Sequence, residues 1–98
     1  MTASWIINDY LDPCNLPQNL ASAFPALVEP LVDIGYTPVL YCGYQIVNGT
    51  NYMLICKRVT LAPCFSSTLV KCIIHESLPV HGQSHYHILS IEDVMNIH

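Results

Sequence analysis

Histidines near the C-terminal end of the chain have a spacing that could bind a metal ion. His85 and His87 are two positions apart, so in a β-strand both imidazoles would lie on the same face. With His75 or Cys72 they would supply nitrogen and sulfur ligands for a tetrahedral zinc site. No second spaced pair of ligands accompanies them, and solvated histidines on a strand face are the simpler interpretation. We therefore expect no bound metal and no cofactor, and we keep a small metal-binding protein as an alternative.

Cysteine chemistry would be the enzymatic interpretation, because a thiolate nucleophile needs a neighbouring base or cation. Four of the five cysteines lie in or beside apolar runs, where burial keeps a thiol protonated and inert. The acidic residues are scattered, and the sequence has no glycine-rich phosphate loop, nucleophile elbow or zinc-protease helix motif. These observations predict a protein that is not an enzyme.

The number and spacing of the cysteines also bear on their redox state. An odd number without a C-x-x-C pair fits reduced thiols better than a disulfide framework, and one cross-strand disulfide stays open as an alternative. The five residues are Cys14, Cys42, Cys56, Cys64 and Cys72.

The composition excludes several classes of partner. Of the 98 residues, 52% are hydrophobic and 10% are charged, and the formal net charge is −4. Lys57, Arg58 and Lys71 are the only permanent cations, so no basic stripe is present to bind nucleic acid. The apolar run from Trp5 to Ile7 is too short for a signal-peptide core or a membrane span. We expect one cytoplasmic domain over residues 1–98 that binds neither nucleic acid nor membrane and has excess apolar surface at an interface.

One segment has the periodicity of a helix with a single apolar face. Its apolar residues are Leu16, Leu20, Phe24, Leu27 and Leu31. Asn15 is the predicted N-cap, and Pro17 would lie in the first turn, where its missing N–H costs little. Pro25 is expected to bend or break the helix, and Pro30 with Gly35 to mark its end.

Runs of β-branched and aromatic residues after Gly35 predict four strands. These strands span Thr37–Ile46, Thr50–Val59, Thr68–Leu78 and Tyr86–Ile91. Short, turn-like separators favour antiparallel neighbours in a meander, and Ala3–Ile7 is expected to add an edge strand before the helix. The predicted fold class is α+β, with one helix packed across a four- to five-stranded antiparallel sheet.

A short motif stands between the first two of these long strands. Gln45, Val47 and Gly49 read Q-x-V-x-G, with Ile46 and Asn48 between them. Asn-Gly between two β runs is a strong hairpin signal, because glycine adopts a positive φ without steric cost. An ordinary tight turn would therefore explain Gly49 by itself.

The surroundings of the motif carry a family resemblance. QIVNGTNY at residues 45–52, together with the preceding helix and ESLPVHGQ at residues 76–83, closely resembles the cystatin family of cysteine-protease inhibitors, and the stefin branch in particular. The resemblance implies a helix of about five turns wrapped by an antiparallel sheet. It also implies a reversible, competitive inhibitor whose wedge-shaped end fills the active-site cleft of papain-like, cathepsin-like proteases. The implied protease-binding residues are Gln45, Ile46, Val47, Asn48, Gly49, Leu78, Pro79, His81 and Gly82. Because Gly49 has no Cβ, its backbone is expected to approach the protease closely.

The chain departs from the family pattern at its N-terminal segment. The family carries a glycine just before the body of the domain, whereas the first glycine here is Gly35. Trp5 to Ile7 would either contact the protease there or form an edge strand in the core, and the edge strand is the preferred interpretation. A weakened inhibitor, or a cystatin-fold interaction module that does not inhibit, is the corresponding alternative.

Two further expectations concern compartment and assembly. Asn48-Gly49-Thr50 is an N-x-T glycosylation acceptor, and a glycan on the implied inhibitory turn would block docking, so inhibition favours a cytoplasmic location. Strand exchange about the first hairpin would convert a monomer into a domain-swapped dimer, and the low charge content would not oppose it.

Overall fold

The structure is a computed structural model that describes residues 4–9, 13–31, 34–61 and 63–96. It contains one helix and one five-stranded antiparallel sheet, an α+β arrangement. In chain order the elements are β1 (Trp5–Ile7), α1 (Gln18–Val28), β2 (Ile34–Val47), β3 (Gly49–Thr60), β4 (Ser66–Glu76) and β5 (Tyr86–Asn96). No helix in these described ranges is long and apolar enough to cross a membrane.

The sheet is a meander, as the short separators predict. Its strand order is β1-β2-β3-β4-β5, and each pair of neighbours is antiparallel. The predicted edge strand is present as Trp5–Ile7, which pairs with residues 43–45 of β2. Ala3, the expected first residue of that strand, lies outside the described residues. All three residues of β1 are exposed, so their expected place in the core is wrong.

The helix begins later than predicted and continues past Pro25. Pro17, rather than Asn15, is the N-cap, because a residue before proline is disfavoured in the α conformation and Leu16 cannot open the helix. The carbonyl of Pro17 accepts the first helical hydrogen bond, from Ala21 N at 2.9 Å. Pro25 leaves the helix unbroken up to Val28, and its own carbonyl accepts a bond from Glu29 N at 3.0 Å.

The length of the helix also differs from the family expectation. Eleven residues make about three turns instead of about five. Leu16 lies before the helix, yet it still packs against the core, as do Leu27 and Val28 in the last turn. The apolar periodicity therefore identifies four of its five residues, Leu16, Leu20, Phe24 and Leu27, as core-facing, whereas Leu31 lies after the end of the helix, and the periodicity overstates how much of the segment is helical.

The core lies between the helix and one face of the sheet. Leu20 and Phe24 supply the buried side chains of the helix, and each such side chain contributes about 1.5–3 kcal/mol on burial. The buried side chains of the sheet are Tyr41, Tyr52, Leu54, Cys56, Val70, Cys72 and Ile74. Alternate residues of β3 and β4 are buried, which is the period expected of strands with one covered face.

All five cysteines lie in the described residues, and none of them forms a disulfide. Cys56 and Cys72 are buried on adjacent strands, where the hydrogen bond with Cys72 and burial together raise the pKa of the Cys56 thiol. Cys64 is the exposed one, in the connection between β3 and β4. Burial therefore accounts for two cysteines as small core residues.

Two strand boundaries depart clearly from the predictions. β2 begins at Ile34 instead of Thr37, and β5 continues to Asn96 instead of ending at Ile91. Polar residues and two register shifts interrupt the alternation of apolar and polar residues along β5, so the sequence pattern does not reveal its second half. In that half, Glu92 pairs with Lys71 of the adjacent strand β4 at 3.3 Å, and Asp93 pairs with Arg58 of β3, one strand further away, at 3.0 Å.

Candidate functional site: the paired-turn end

Three segments that are distant in sequence meet at one end of the sheet. The β2–β3 turn lies beside the end of β4, because Thr50 pairs with Glu76, and Glu76 pairs in turn with Tyr86 of β5. β1 starts at the same end, because Trp5 pairs with Gln45. We call this region the paired-turn end and define it as Trp5, the first turn (residues 46–48) and the second turn (residues 78–83).

The first turn is tighter than the Asn-Gly pattern suggests. Val47 and Gly49 pair directly across the hairpin, which leaves Asn48 alone at the apex. Ile46 is 57% exposed, and Val47 and Asn48 are exposed as well. The turn therefore presents two apolar side chains and one amide to solvent from a backbone that the strands hold in place.

Gly49 does not form part of the exposed tip. It is buried at a φ of 107°, and a Cβ built on it would overlap the backbone oxygen of Glu76 and lie 3.0 Å from Cε1 of His75. The sequence-based idea that the bare backbone of Gly49 admits a close partner is wrong in this respect, because β4 of the same chain occupies that space. Glycine at this position is required by the fold.

Gln45 lies on the sheet face opposite the helix, in a row of polar side chains. Its Oε1 accepts a hydrogen bond from Asn51 Nδ2 at 3.1 Å, and Asn51 Oδ1 lies 2.7 Å from Nδ1 of His75. The rings of His75 and His87 follow, with centroids 5.2 Å apart and planes inclined by 57°. This row crosses β2, β3, β4 and β5 directly behind the first turn.

The second turn is closed by two backbone bonds between Val80 and Gln83, at 2.8 and 3.1 Å. The two central residues, His81 and Gly82, have φ values of 54° and 78°, which is the positive-φ pattern of a type I′ turn. Leu78 is 55% exposed, and Pro79, Val80 and both central residues are exposed too. The second turn thus adds a further group of apolar side chains beside the first.

The base of the second turn is fixed by the neighbouring strand. Ser77 N donates to the carbonyl of His85 at 2.8 Å, and His85 N donates to the hydroxyl of Ser77 at 2.9 Å. These bonds continue the β4–β5 ladder beyond Glu76. Residues 78–83 therefore project from a closed ladder.

A cluster of hydrogen bonds around the single carboxylate of Glu76 lies beneath the paired-turn end, on the helix side of the sheet. Glu76 accepts hydrogen bonds from the hydroxyls of Tyr52 at 2.7 Å and Tyr86 at 3.0 Å, and from Nδ2 of Asn19 at 3.1 Å. Burial and the hydrogen bond to Glu76 raise the pKa of Tyr52 to about 12. The cluster ties the first turn of the helix to the ends of three strands.

A cleft of about 530 Å³ opens on the helix side of the first turn. Its walls include Ile6 of β1, Tyr41, Tyr44 and Ile46 of β2, and Pro17 before the helix. The cleft is lined by residues of β1 and of the segment that leads into the helix, and Ile46 is the residue of the paired-turn end that also lines it.

The residues considered for the alternative zinc site do not form one set of ligands. His75 and His87 face each other across β4 and β5, whereas Cys72 is buried on the helix side of the sheet. Within residues 4–9, 13–31, 34–61 and 63–96, no group of three histidine, cysteine or acidic side chains is placed to hold a metal ion.

The structure places all of the nine predicted site residues at or directly beside the paired-turn end. Sequence reasoning did not assign Asn51 or Val80 to this end of the sheet, and it considered His75 only as a metal ligand. Val80 stands inside the quoted LPVHG stretch, and Asn51 falls two residues after Gly49, on the face that alternation gives to Gln45 and His75. The pairing of Asn51 with His75 depends on the β3–β4 register, which a single sequence does not display.

No family model matches the chain, and no curated protein or solved structure matches it either.

Proposed function

We propose that this protein is a stefin-like, reversible and competitive inhibitor of papain-like cysteine proteases, with a cystatin-type fold. The observation that carries the proposal is the position of Trp5, the first turn and the second turn at one end of the sheet. The resemblance of residues 45–52 and 76–83 to the stefins implies that these segments fill a protease cleft together, which requires them to be neighbours. Their adjacency supports the proposal.

The physical basis of inhibition is a preorganised apolar edge. Both turns project from closed hairpin ladders, so little conformational entropy is lost when they dock. Ile46, Val47, Leu78 and Val80 are apolar side chains that are partly exposed to water in the free protein, and docking would remove this exposed surface from water. The inhibitor performs no chemistry of its own and uses no cofactor in this proposal.

The roles of the nine site residues divide according to exposure. Ile46, Val47 and Asn48, with Leu78 and Pro79, are exposed and would contact the protease. His81 and Gly82 shape the second turn through their positive φ values. Gln45 and Gly49 are held within the sheet and act by fixing the geometry of the first turn.

Exposed β1 would supply apolar contacts beside the first turn, in a part of the sequence that has no glycine before Gly35. The side chains of Trp5 and Ile6 stand beside Gln45 and Tyr44, next to the first turn. In the proposed complex they extend the apolar edge next to the first turn. A cytoplasmic location and a monomer that exchanges strands to form a dimer complete the proposal.

The test is a titration of papain and cathepsin-like proteases with the purified protein and two matched variants. Leu78→Asp places a charge in the proposed contact, whereas Leu89→Asp places the same charge on β5, at a position 51% exposed compared with 55% for Leu78. We expect competitive inhibition by the wild type and by the Leu89 variant, and a loss of about tenfold or more for the Leu78 variant.

The same titration separates the proposal from its alternative, an interaction module with the same fold and no inhibitory activity. Absence of inhibition by the folded wild type across the protease panel would leave only the module. Equal inhibition by both variants would remove the second turn from the contact.

A further inference from the structure

We propose that His75 is a positioning residue for the inhibitory edge. His75 holds the first turn in its docking geometry by two contacts, one with Gly49 and one with Gln45 through Asn51. The inference rests on the proposed function, since it assigns to β4 the task of presenting the Q-x-V-x-G hairpin to the protease. Neither the motif nor the residues that would touch the protease include His75.

The first contact is between the imidazole and the turn itself. Nε2 and Cε1 of His75 approach Gly49 so closely that a Cβ there would lie 3.1 and 3.0 Å from them. Gly49 follows the apex residue Asn48 directly and pairs with Val47. The imidazole therefore supports the turn from the side of β4 at the point where the chain reverses.

The second contact runs through Asn51 to the first residue of the motif. Asn51 Nδ2 donates to Gln45 Oε1 at 3.1 Å, so Asn51 Oδ1 is directed toward Nδ1 of His75, 2.7 Å away. A carbonyl oxygen only accepts, and Nδ1 must therefore carry the imidazole proton. The proton on His75 thus fixes the orientation of Asn51, and Asn51 fixes that of Gln45.

The strand that carries His75 is itself held firmly on its other face. Glu76, the next residue, accepts hydrogen bonds from Tyr52, Tyr86 and Asn19 on the helix side of the sheet. Ser77 then begins the bonded base of the second turn. His75 and Glu76 consequently hold the first turn against β4, the strand that leads to the second turn, and they set the spacing between the two turns.

Two substitutions separate the two contacts of His75. His75→Phe keeps a ring against Gly49 and removes the proton donor to Asn51, whereas His75→Asn keeps an amide donor near the position of Nδ1 and removes the ring. A third variant, Asn51→Asp, keeps the acceptor for His75 and removes the donor to Gln45.

We expect each of the three variants to inhibit a papain-like protease roughly three- to tenfold more weakly than the wild type, per folded molecule. The folded fraction is measured from the thermal transition, and the inhibition constant is corrected for it. A purely structural role would lower the transition temperature and leave the corrected inhibition constant unchanged. Unchanged corrected constants in all three variants would overturn the proposal.

A measurement without protease distinguishes failure of this inference from failure of the proposed function. In two-dimensional NMR of the wild type, the His75 ring should show the proton on Nδ1, and the side-chain amide of Gln45 should shift in His75→Phe and in Asn51→Asp. If the wild type inhibits no protease but these shifts appear, the positioning role stands and inhibition fails. If the Gln45 resonances are the same in all proteins, the positioning role fails whatever the inhibition.

Discussion

Gly49 at the start of β3 lies against the backbone oxygen of Glu76 at the end of β4, in a space that no side chain can share. This contact joins the first hairpin to the strand that leads to the second. The contact also changes the role expected of the glycine in the Q-x-V-x-G motif. The missing side chain makes room for β4 of the same chain and not for a partner protein.

Gly49→Ala should therefore destabilise the protein. The φ of 107° is unfavourable for an L-residue, and the added methyl group would collide with Glu76, so we expect the free energy of unfolding to fall by about 2 kcal/mol or more. Urea denaturation measures the change. Gly35→Ala is the matched control, because a Cβ at Gly35 meets nothing within 4 Å, and a similar loss in both variants would contradict the structure.

Alkaline pH should destabilise the fold through two buried tyrosines. Burial raises the pKa of Tyr41 and of Tyr52 to about 12, whereas an unfolded tyrosine titrates near 10. The folded state binds these protons more tightly than the unfolded state. The contribution of the two protonated tyrosines to the free energy of unfolding is therefore complete below about pH 10 and is lost as the pH rises toward about 12. The free energy of unfolding falls by roughly 2–3 kcal/mol per tyrosine. Unfolding curves across this range test it, and Tyr52→Phe should show a shallower dependence on pH than the wild type.

The hydroxyl of Tyr52 should contribute more to stability than that of Tyr86. Both donate to Glu76, but Tyr52 is buried and its bond is shorter, 2.7 Å against 3.0 Å. Hydrogen bonds to charged groups contribute about 1.5–3 kcal/mol, and we expect Tyr52→Phe to lose an amount in this range. Tyr86→Phe should lose less, as measured by chemical denaturation. The opposite ranking would show that the carboxylate depends mainly on β5.

Docking of the helix should depend strongly on one leucine. Leu20 is fully buried between the helix and the sheet, and Leu20→Ala should lower the free energy of unfolding by about 2–5 kcal/mol. Leu61→Ala makes the same chemical change at a position that is 63% exposed, where we expect less than about 0.5 kcal/mol. Thermal melts of the two variants compare them directly. Equal costs would mean that the helix is not packed as described.

The fold class could be predicted because the sequence shows two local periodicities, that of a helix and that of a strand. The four-residue spacing of Leu20 and Phe24 identified the helix, and alternation within β3 and β4 identified the central strands. The start of the helix was missed, because the restriction that Pro17 places on Leu16 outweighs the capping tendency of Asn15. The second half of β5 was missed, because its charged residues belong to cross-strand pairs with Arg58 and Lys71.

The candidate site could be predicted only in part, for a related reason. A hairpin at Asn48 follows from local turn chemistry, and its position at one edge with Leu78 follows from a meander of similar strand lengths. The burial of Gly49 and the contact of Asn51 with His75 depend on the register of β3 against β4. Register arises from the packing of whole strands, and no short window of sequence contains it.

The exposed thiol of Cys64 lies in the connection at the far end of β3, opposite the paired-turn end. The twelve residues of β3 run from Gly49 to the start of that connection, a distance of about 40 Å. A dye or a surface linker attached to Cys64 would consequently leave both turns facing outward. Cys64 is thus an attachment site for oriented immobilisation, on which the proposed binding of a protease can be measured one molecule at a time.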